Sequence, residues 1–258
     1  MFFEEVINII KEISDPESAE EWDNSGVQIN VGEKKIRKVL IALDITKDIV
    51  IEAKDNNVDL IITHHPLIFD HLRKVDSNVI IGNYIVELIK AEISVYAAHT
   101  DFDKAAGGNN DYIASILKLT NVKKFDGNSI GTVGELFVRM SFEEVCSYVK
   151  DSLKSKNINA VGSPWATVRK VGICSGAAGS KDMIDKAVDL GCELYITGDV
   201  KYHDAQYAAE KGICLIDAGH YGTEKFFIEN FTAKLKEKTG DSLEIIPSTL
   251  NLDPFKSM

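Results

Sequence analysis

Short apolar runs rich in β-branched residues alternate with longer helical patterns along almost the whole chain, and this alternation narrows the possible folds more than any other feature. Lys38 to Leu43, Val58 to Thr63, Ile93 to Ala98, Gly134 to Met140, Val168 to Cys174, Leu194 to Thr197, Ile213 to Asp217 and Leu243 to Ile246 read as strands. Between them, Lys47 to Asn56, Val79 to Lys90, Asn109 to Leu119, Phe142 to Ser155, Lys181 to Leu190, His203 to Lys211 and Thr223 to Lys238 read as helices. The order implies an α/β fold with mostly parallel or mixed sheets flanked by helices. From Val122 to Gly134, three glycines interrupt both periods, so a boundary is expected near residue 126. That gives one α/β lobe over residues 1–125 and a second over 126–258.

Composition excludes several function classes. With 258 residues and 45% hydrophobic content, the chain can bury a full core. Its 29 Lys+Arg against 40 Asp+Glu leave a net charge of −11, a field that repels a polyanion and argues against nucleic-acid binding. The four cysteines form no Cys-x-x-Cys pair and read as reduced core residues. Phe3, Val6, Ile7, Ile10 and Ile13 recur at helical spacing, and Glu4 and Glu5 stand where a signal peptide would need positive charge. The N-terminus therefore reads as an amphipathic core helix. No apolar stretch approaches the roughly 20 residues that span a bilayer, so a soluble, cytoplasmic protein is expected.

Histidines and carboxylates gather just beyond strand C-terminal ends, where open α/β sheets bind their ligands. His64 and His65, followed by Pro66, leave the strand ending at Thr63. Adjacent extended residues point to opposite sides, so the two imidazoles suit two metals better than one; the alternative is a plain polar strand exit. His99, Asp101 and Asp103 follow the next strand, and a turn would bring His99 and Asp103 to one side. Asp residues there are also common as helix caps. His220 and Glu224, at i and i+4 at a helix start, share one face. Capping would explain Glu224 but not His220.

Together these clusters offer imidazoles and carboxylates without thiolates, a donor set for Zn, Fe, Mn or Ni. Two bridged divalent ions acidify a water and polarise a phosphoryl or carbonyl oxygen, the basis of hydrolytic chemistry on a small molecule. Weaker features surround this core. His203 follows another strand as an acid/base, an outer group or a helix cap, and Asp44 reads as an orienting group or a cap. The glycine-rich Val171 to Ser180 turn reads as a phosphate cradle or a tight structural turn. Trp22 to Gly26 could fold over the site, with Trp22 as plain core the alternative.

In order along the chain, Trp22-Asp-Asn-Ser-Gly26, Ala42-Leu-Asp-Ile-Thr46, Thr63-His-His-Pro66, His99-Thr-Asp-Phe-Asp103, Ile173-Cys-Ser-Gly-Ala-Ala-Gly179, Thr197-Gly-Asp-Val-Lys-Tyr-His203 and Asp217-Ala-Gly-His-Tyr-Gly-Thr-Glu224 resemble the GTP cyclohydrolase 1 type 2 homologues, the Nif-three-like dinuclear metal proteins. The resemblance implies two divalent ions on His64, His65, Asp103, His220 and Glu224, with the second lobe returning His220 and Glu224 to the metal site. It places His99 and His203 close by as candidate catalytic groups. It also implies two α/β domains and a ring-shaped homohexamer. Asp101 stands where Asn is more usual and Asp199 where Glu is more usual, which raises whether Asp101 also touches a metal. The implied activity is a metal-dependent hydrolase of cyclohydrolase or phosphoesterase class, acting on a small phosphorylated or nucleotide-like substrate. The competing reading is a non-catalytic metal-binding scaffold, or a metal storage or insertion protein.

Overall fold

Each run that reads as a strand forms one in the computed structural model, which describes residues 1–125 and 129–256. The chain divides into two units, Met1–Ala105 with Phe227–Leu252, and Ala106–Phe226 with Asp253–Met258.

The described residues of the first unit hold α1 (Phe3–Ile13), β1 (Gly26–Ile29), β2 (Lys38–Ala42), α2 (Lys47–Asp55), β3 (Leu60–Thr63), α3 (Ile80–Lys90), β4 (Ser94–Ala97), α4 (Thr100–Lys104), α10 (Phe227–Thr239) and β11 (Glu244–Pro247). Its five-stranded sheet runs β1-β4-β3-β2-β11. The last four strands in that order are mutually parallel, and β1 closes the edge antiparallel to β4. Strands β3 and β4 are buried at every position, which is why they read as continuous apolar runs rather than alternating ones. Leu40, Ile49, Ala53, Ile61, Leu88 and Val95 form the heart of one core cluster.

The second unit holds α5 (Asn109–Ile116), β5 (Thr120–Lys124), β6 (Thr132–Ser141), α6 (Phe142–Ser152), β7 (Asn159–Val161), β8 (Thr167–Ile173), α7 (Lys181–Asp189), β9 (Leu194–Thr197), α8 (Tyr202–Lys211), β10 (Cys214–Asp217) and α9 (His220–Glu224). Its six-stranded sheet runs β5-β6-β8-β9-β10-β7. Strands β8, β9 and β10 are parallel and the rest antiparallel, so this sheet is mixed. Helix α6 starts with a capping box, in which Ser141 Oγ accepts from Glu144 N while Glu144 accepts from Ser141 N.

One expectation lies outside the described residues, and two differences from the sequence reading have local causes. The boundary expected near residue 126 falls outside the described residues; β5 and β6 on either side of it pair within the second unit, and α10 and β11 belong to the first. Register explains the return of the C-terminus, because Glu244 to Pro247 pairs parallel with Lys38 to Ile41. The helix expected over Thr223 to Lys238 is two helices, α9 and α10. Phe226 packs into a core of the second unit whereas Phe227 packs on His64, Phe102 and Phe231 in the first, and a turn at Lys225 and Phe226 separates the two helices. Strands β1, β5 and β7 escape the pattern because they lie at sheet edges, short and partly solvated, without an apolar run.

No helix of the described residues is long and apolar enough to cross a membrane. The cysteines are free thiols, with Cys174, Cys192 and Cys214 buried. Burial, with Glu193 adding and Lys170 opposing, pushes the Cys192 thiol from 9.0 up to about 11; burial, with Cys214 and Glu143, does the same to Cys146. A thiolate-selective reagent should therefore label these two slowly in the native protein at pH 8, its rate climbing only as pH nears 11, and rapidly after urea unfolding. Mass-resolved labelling against pH reads this out, and equal native and unfolded rates would contradict it.

Candidate metal centre

Parallel strands align their C-terminal ends, so side chains that follow them gather along one sheet edge. In the first unit β2 delivers Asp44, β3 delivers His64 and His65, and β4 delivers His99 and, through α4, Asp103. His64, His65 and His99 each offer a ring nitrogen, and the three nitrogens lie within 4.8 Å of one another. The ring centroids are 5.1 to 5.5 Å apart. Asp103 is buried, with Oδ2 3.8 Å from His64 Nε2.

Each imidazole is held from behind by an oxygen. His64 Nδ1 donates to the Ala98 carbonyl at 2.8 Å. A carbonyl only accepts, so this bond fixes the tautomer: the proton sits on Nδ1 and the lone pair on Nε2. His65 Nδ1 stands 2.7 Å from Asp44 Oδ1, and His99 Nδ1 2.7 Å from Asp23 Oδ1, which impose the same polarity on those rings. Such carboxylate–imidazole pairs are the usual outer support of metal-binding histidines. Three imidazoles whose ring nitrogens gather within 4.8 Å, in a donor set without thiolate, fit a borderline divalent metal.

Asp23 is the residue that sequence reading misses. Burial opposes its ionisation, but hydrogen bonds from His99, from Thr100 Oγ1 at 2.5 Å and from Ser25 Oγ at 2.9 Å win, and the carboxyl lies well below the usual carboxylate range. Its position inside Trp22 to Gly26, directly beside the aromatic residue, was the available signal. Trp22 itself is 60% exposed and is no core residue; its ring meets His99 and Phe69 edge-on. Asp44 is an orienting group rather than a cap, since Thr46 caps α2. Asp101, fully buried, accepts from Ser14 Oγ at 2.5 Å and Ser25 Oγ at 2.7 Å. These bonds tie α4 to α1 and to the Trp22 segment.

The second unit repeats the device. Asp199 follows β9 and His220 follows β10; His220 Nδ1 is 2.8 Å from Asp199 Oδ2, and His220 Nε2 is 2.9 Å from the buried Glu224 Oε2. Asp199 adopts a left-handed backbone with φ 54°, a conformation Asp tolerates better than most residues. Gly176 has φ +70°, which disfavours any other residue, and a Cβ there would come 2.0 Å from Glu224 Oε1 and push the carboxylate from its place. In the glycine-rich turn, Ser175 N donates to Asn110 Oδ1 and Gly176 N to Thr223 Oγ1, so these two N–H groups serve the fold. His203 lies exposed on α8, with Nδ1 3.1 Å from Gln206 Oε1 and its ring against Tyr202. The structure thus brings together His64, His65, His99 and Asp103 in one unit, and His220, Glu224 and Asp199 in the other.

The family described as Duf34/NIF3 (NGG1p interacting factor 3) matches residues 1–254. A Clostridium perfringens protein named GTP cyclohydrolase 1 type 2 homolog is 34% identical over 262 residues, covering 99% of both chains. Among solved structures, the Bacillus cereus protein related to NIF3 superposes with a TM-score of 0.93 at 25% identity, over 100% of this chain and 99% of that one. Reduced HcgD from Methanocaldococcus jannaschii gives 0.84 at 32% identity, over 95% and 97%.

The bonding of Asp101 leads to a stability prediction. Ser14→Ala removes one of two hydroxyl donors from a buried carboxylate and should lower the unfolding free energy by about 1–3 kcal/mol. Urea denaturation measures it; an unchanged midpoint would show that Asp101 is satisfied otherwise.

Proposed function

The chain belongs to the Duf34/NIF3 family, and on that premise we propose that it is a metal-dependent hydrolase acting on a small phosphorylated or nucleotide-like molecule, with two divalent ions held by His64, His65, Asp103, His220 and Glu224. The observation that carries this reading is the convergence of three imidazoles whose Nδ1 atoms all face oxygen acceptors. When bound, such ions would supply Lewis acidity and lower the pKa of a water towards neutrality. The chain's own part is to hold geometry: Asp44 and Asp199 orient His65 and His220, and the Asp23 carboxylate holds His99 at the rim. His99, half-buried beside His64 and His65, is the better placed of the two candidate proton carriers, because His203 is exposed and engaged with Gln206.

That placement of His203 also favours a second reading, a non-catalytic metal carrier or scaffold with the same ligands. Turnover separates the two. On the first reading, His65→Ala and Glu224→Ala abolish both bound metal and hydrolysis across a panel of nucleotides, phosphoesters and cyclic amides. Metal binding with no turnover on that panel supports the carrier, and hydrolysis that survives full metal removal overturns the hydrolase. A ring-shaped homohexamer in the cytoplasm is part of the proposal, carried by the motif resemblance; sedimentation should then give about six times the 28.5 kDa chain mass.

Asp44→Asn keeps the shape behind His65 but removes the charge. We expect metal affinity to fall about 10- to 100-fold with the fold intact. Chelator competition together with circular dichroism tests this, and unchanged affinity would mean that Asp44 does not support a ligand.

A further inference from the structure

Two large aromatic rings stand at the rim of the imidazole cluster with more than half of their surface open, Trp22 at 60% and Phe69 at 51%. With His99 they form a nearly equilateral triangle of rings, the centroids 6.2 Å apart from Trp22 to Phe69, 6.2 Å from Trp22 to His99 and 6.3 Å from Phe69 to His99. The planes meet at 60°, 79° and 82°, edge-to-face contacts that leave broad ring faces uncovered.

The arrangement is built rather than incidental. Trp22 and Phe69 sit on two separate loops, and a chain of hydrogen bonds latches the loops together. Asn24 Nδ2 donates to the Ile68 carbonyl at 2.5 Å, Gln28 Nε2 to the Asn24 carbonyl at 2.6 Å, and Ile68 N to Gln28 Oε1 at 3.1 Å. On the other side of Trp22, the Asp23 carboxylate is anchored by Thr100 N at 3.1 Å and Thr100 Oγ1 at 2.5 Å. The residues next to both exposed rings are thus fixed before any ligand arrives. Pre-ordered aromatic surface costs little further entropy on binding and suits a flat, rigid partner better than a flexible aliphatic one.

We propose that Trp22 and Phe69 form a stacking lip that positions the heteroaromatic base of a nucleotide beside the imidazole cluster, with the Asn24–Gln28–Ile68 latch as its positioning element. This deepens the hydrolase reading and rests on it for the identity of the neighbouring site. The lip selects base-bearing molecules over plain phosphoesters, since a sugar phosphate has no face to stack.

The chain's two tryptophans allow a direct test. Trp165, 81% exposed and outside the site, is removed by Trp165→Phe, which leaves Trp22 as the reporting indole. In the zinc-loaded full chain, GMP and UMP should quench Trp22 fluorescence saturably, and ribose 5-phosphate should not. Phe69→Ala and Trp22→Ala, followed by calorimetry, should weaken nucleotide binding about 10- to 100-fold, while Trp22→Phe retains most of it. Equal affinity for GMP and ribose 5-phosphate, no saturable response to either nucleotide, or alanine variants that bind as the parent does would overturn the lip. The failures are distinguishable: nucleotide binding without turnover keeps the lip and removes the hydrolase, whereas phosphoester turnover indifferent to a base does the reverse.

Discussion

The orientation of four imidazoles is the constraint on which the chemistry of this chain depends. A histidine ring is useful to an ion only if its lone pair points the right way, and a side chain with two rotatable bonds does not guarantee this. Here His64, His65, His99 and His220 are each held through Nδ1 by an oxygen: the Ala98 carbonyl, Asp44, Asp23 and Asp199. The support does two things at once. It fixes rotamer and tautomer, and in three cases it places a negative charge behind a ring that would face a cation.

Supporting carboxylates near a hydrophobic sheet edge need their own satisfaction, and much of the local structure provides it. Asp23 collects donors from His99, Thr100 and Ser25, while Asp101 collects Ser14 and Ser25. Ser25 lies within hydrogen-bond reach of both carboxylates and shares its one hydroxyl proton between them, and the segment from Trp22 to Gly26 cannot move without disturbing the His99 support. In the second unit the cost is steric instead. Glu224 in its observed place lies where a Cβ on Gly176 would stand, and a Cβ on Gly198 would meet the backbone of Gly219 and His220 at 2.7 Å. Both units solve one problem, a cluster of donors at the C-terminal edge of parallel strands, with different local materials.

Several features were legible before any coordinates. Strands β2, β3, β4, β8, β9 and β10 announce themselves as apolar runs because both sheet faces are covered, and the donors that follow them are readable as strand-end residues. The edge strands β1, β5 and β7 were not, since a half-solvated edge carries no comparable hydrophobic pattern. Dual readings resolved unevenly. Asp44 stands behind His65, the start of the glycine-rich turn is held by Asn110 and Thr223, and Trp22 lies at the surface instead of in the core. Each outcome depends on which partner a polar group or ring finds across the fold, a matter on which spacing along the chain is silent.

Sequence alone determined the α/β class, most of the strand and helix positions and the presence of imidazole and carboxylate clusters, because periodicity and strand-exit chemistry are local. Tertiary structure alone decided which oxygen stands behind which imidazole, where the C-terminal strand returns and what the exposed aromatic rings surround. Those contacts join residues far apart in the chain, as Asp23 and His99 are at 76 positions, or β11 and β2 at opposite ends of it. Such pairings are chosen by the packing of whole sheets and helices, and no window of neighbouring residues contains that information.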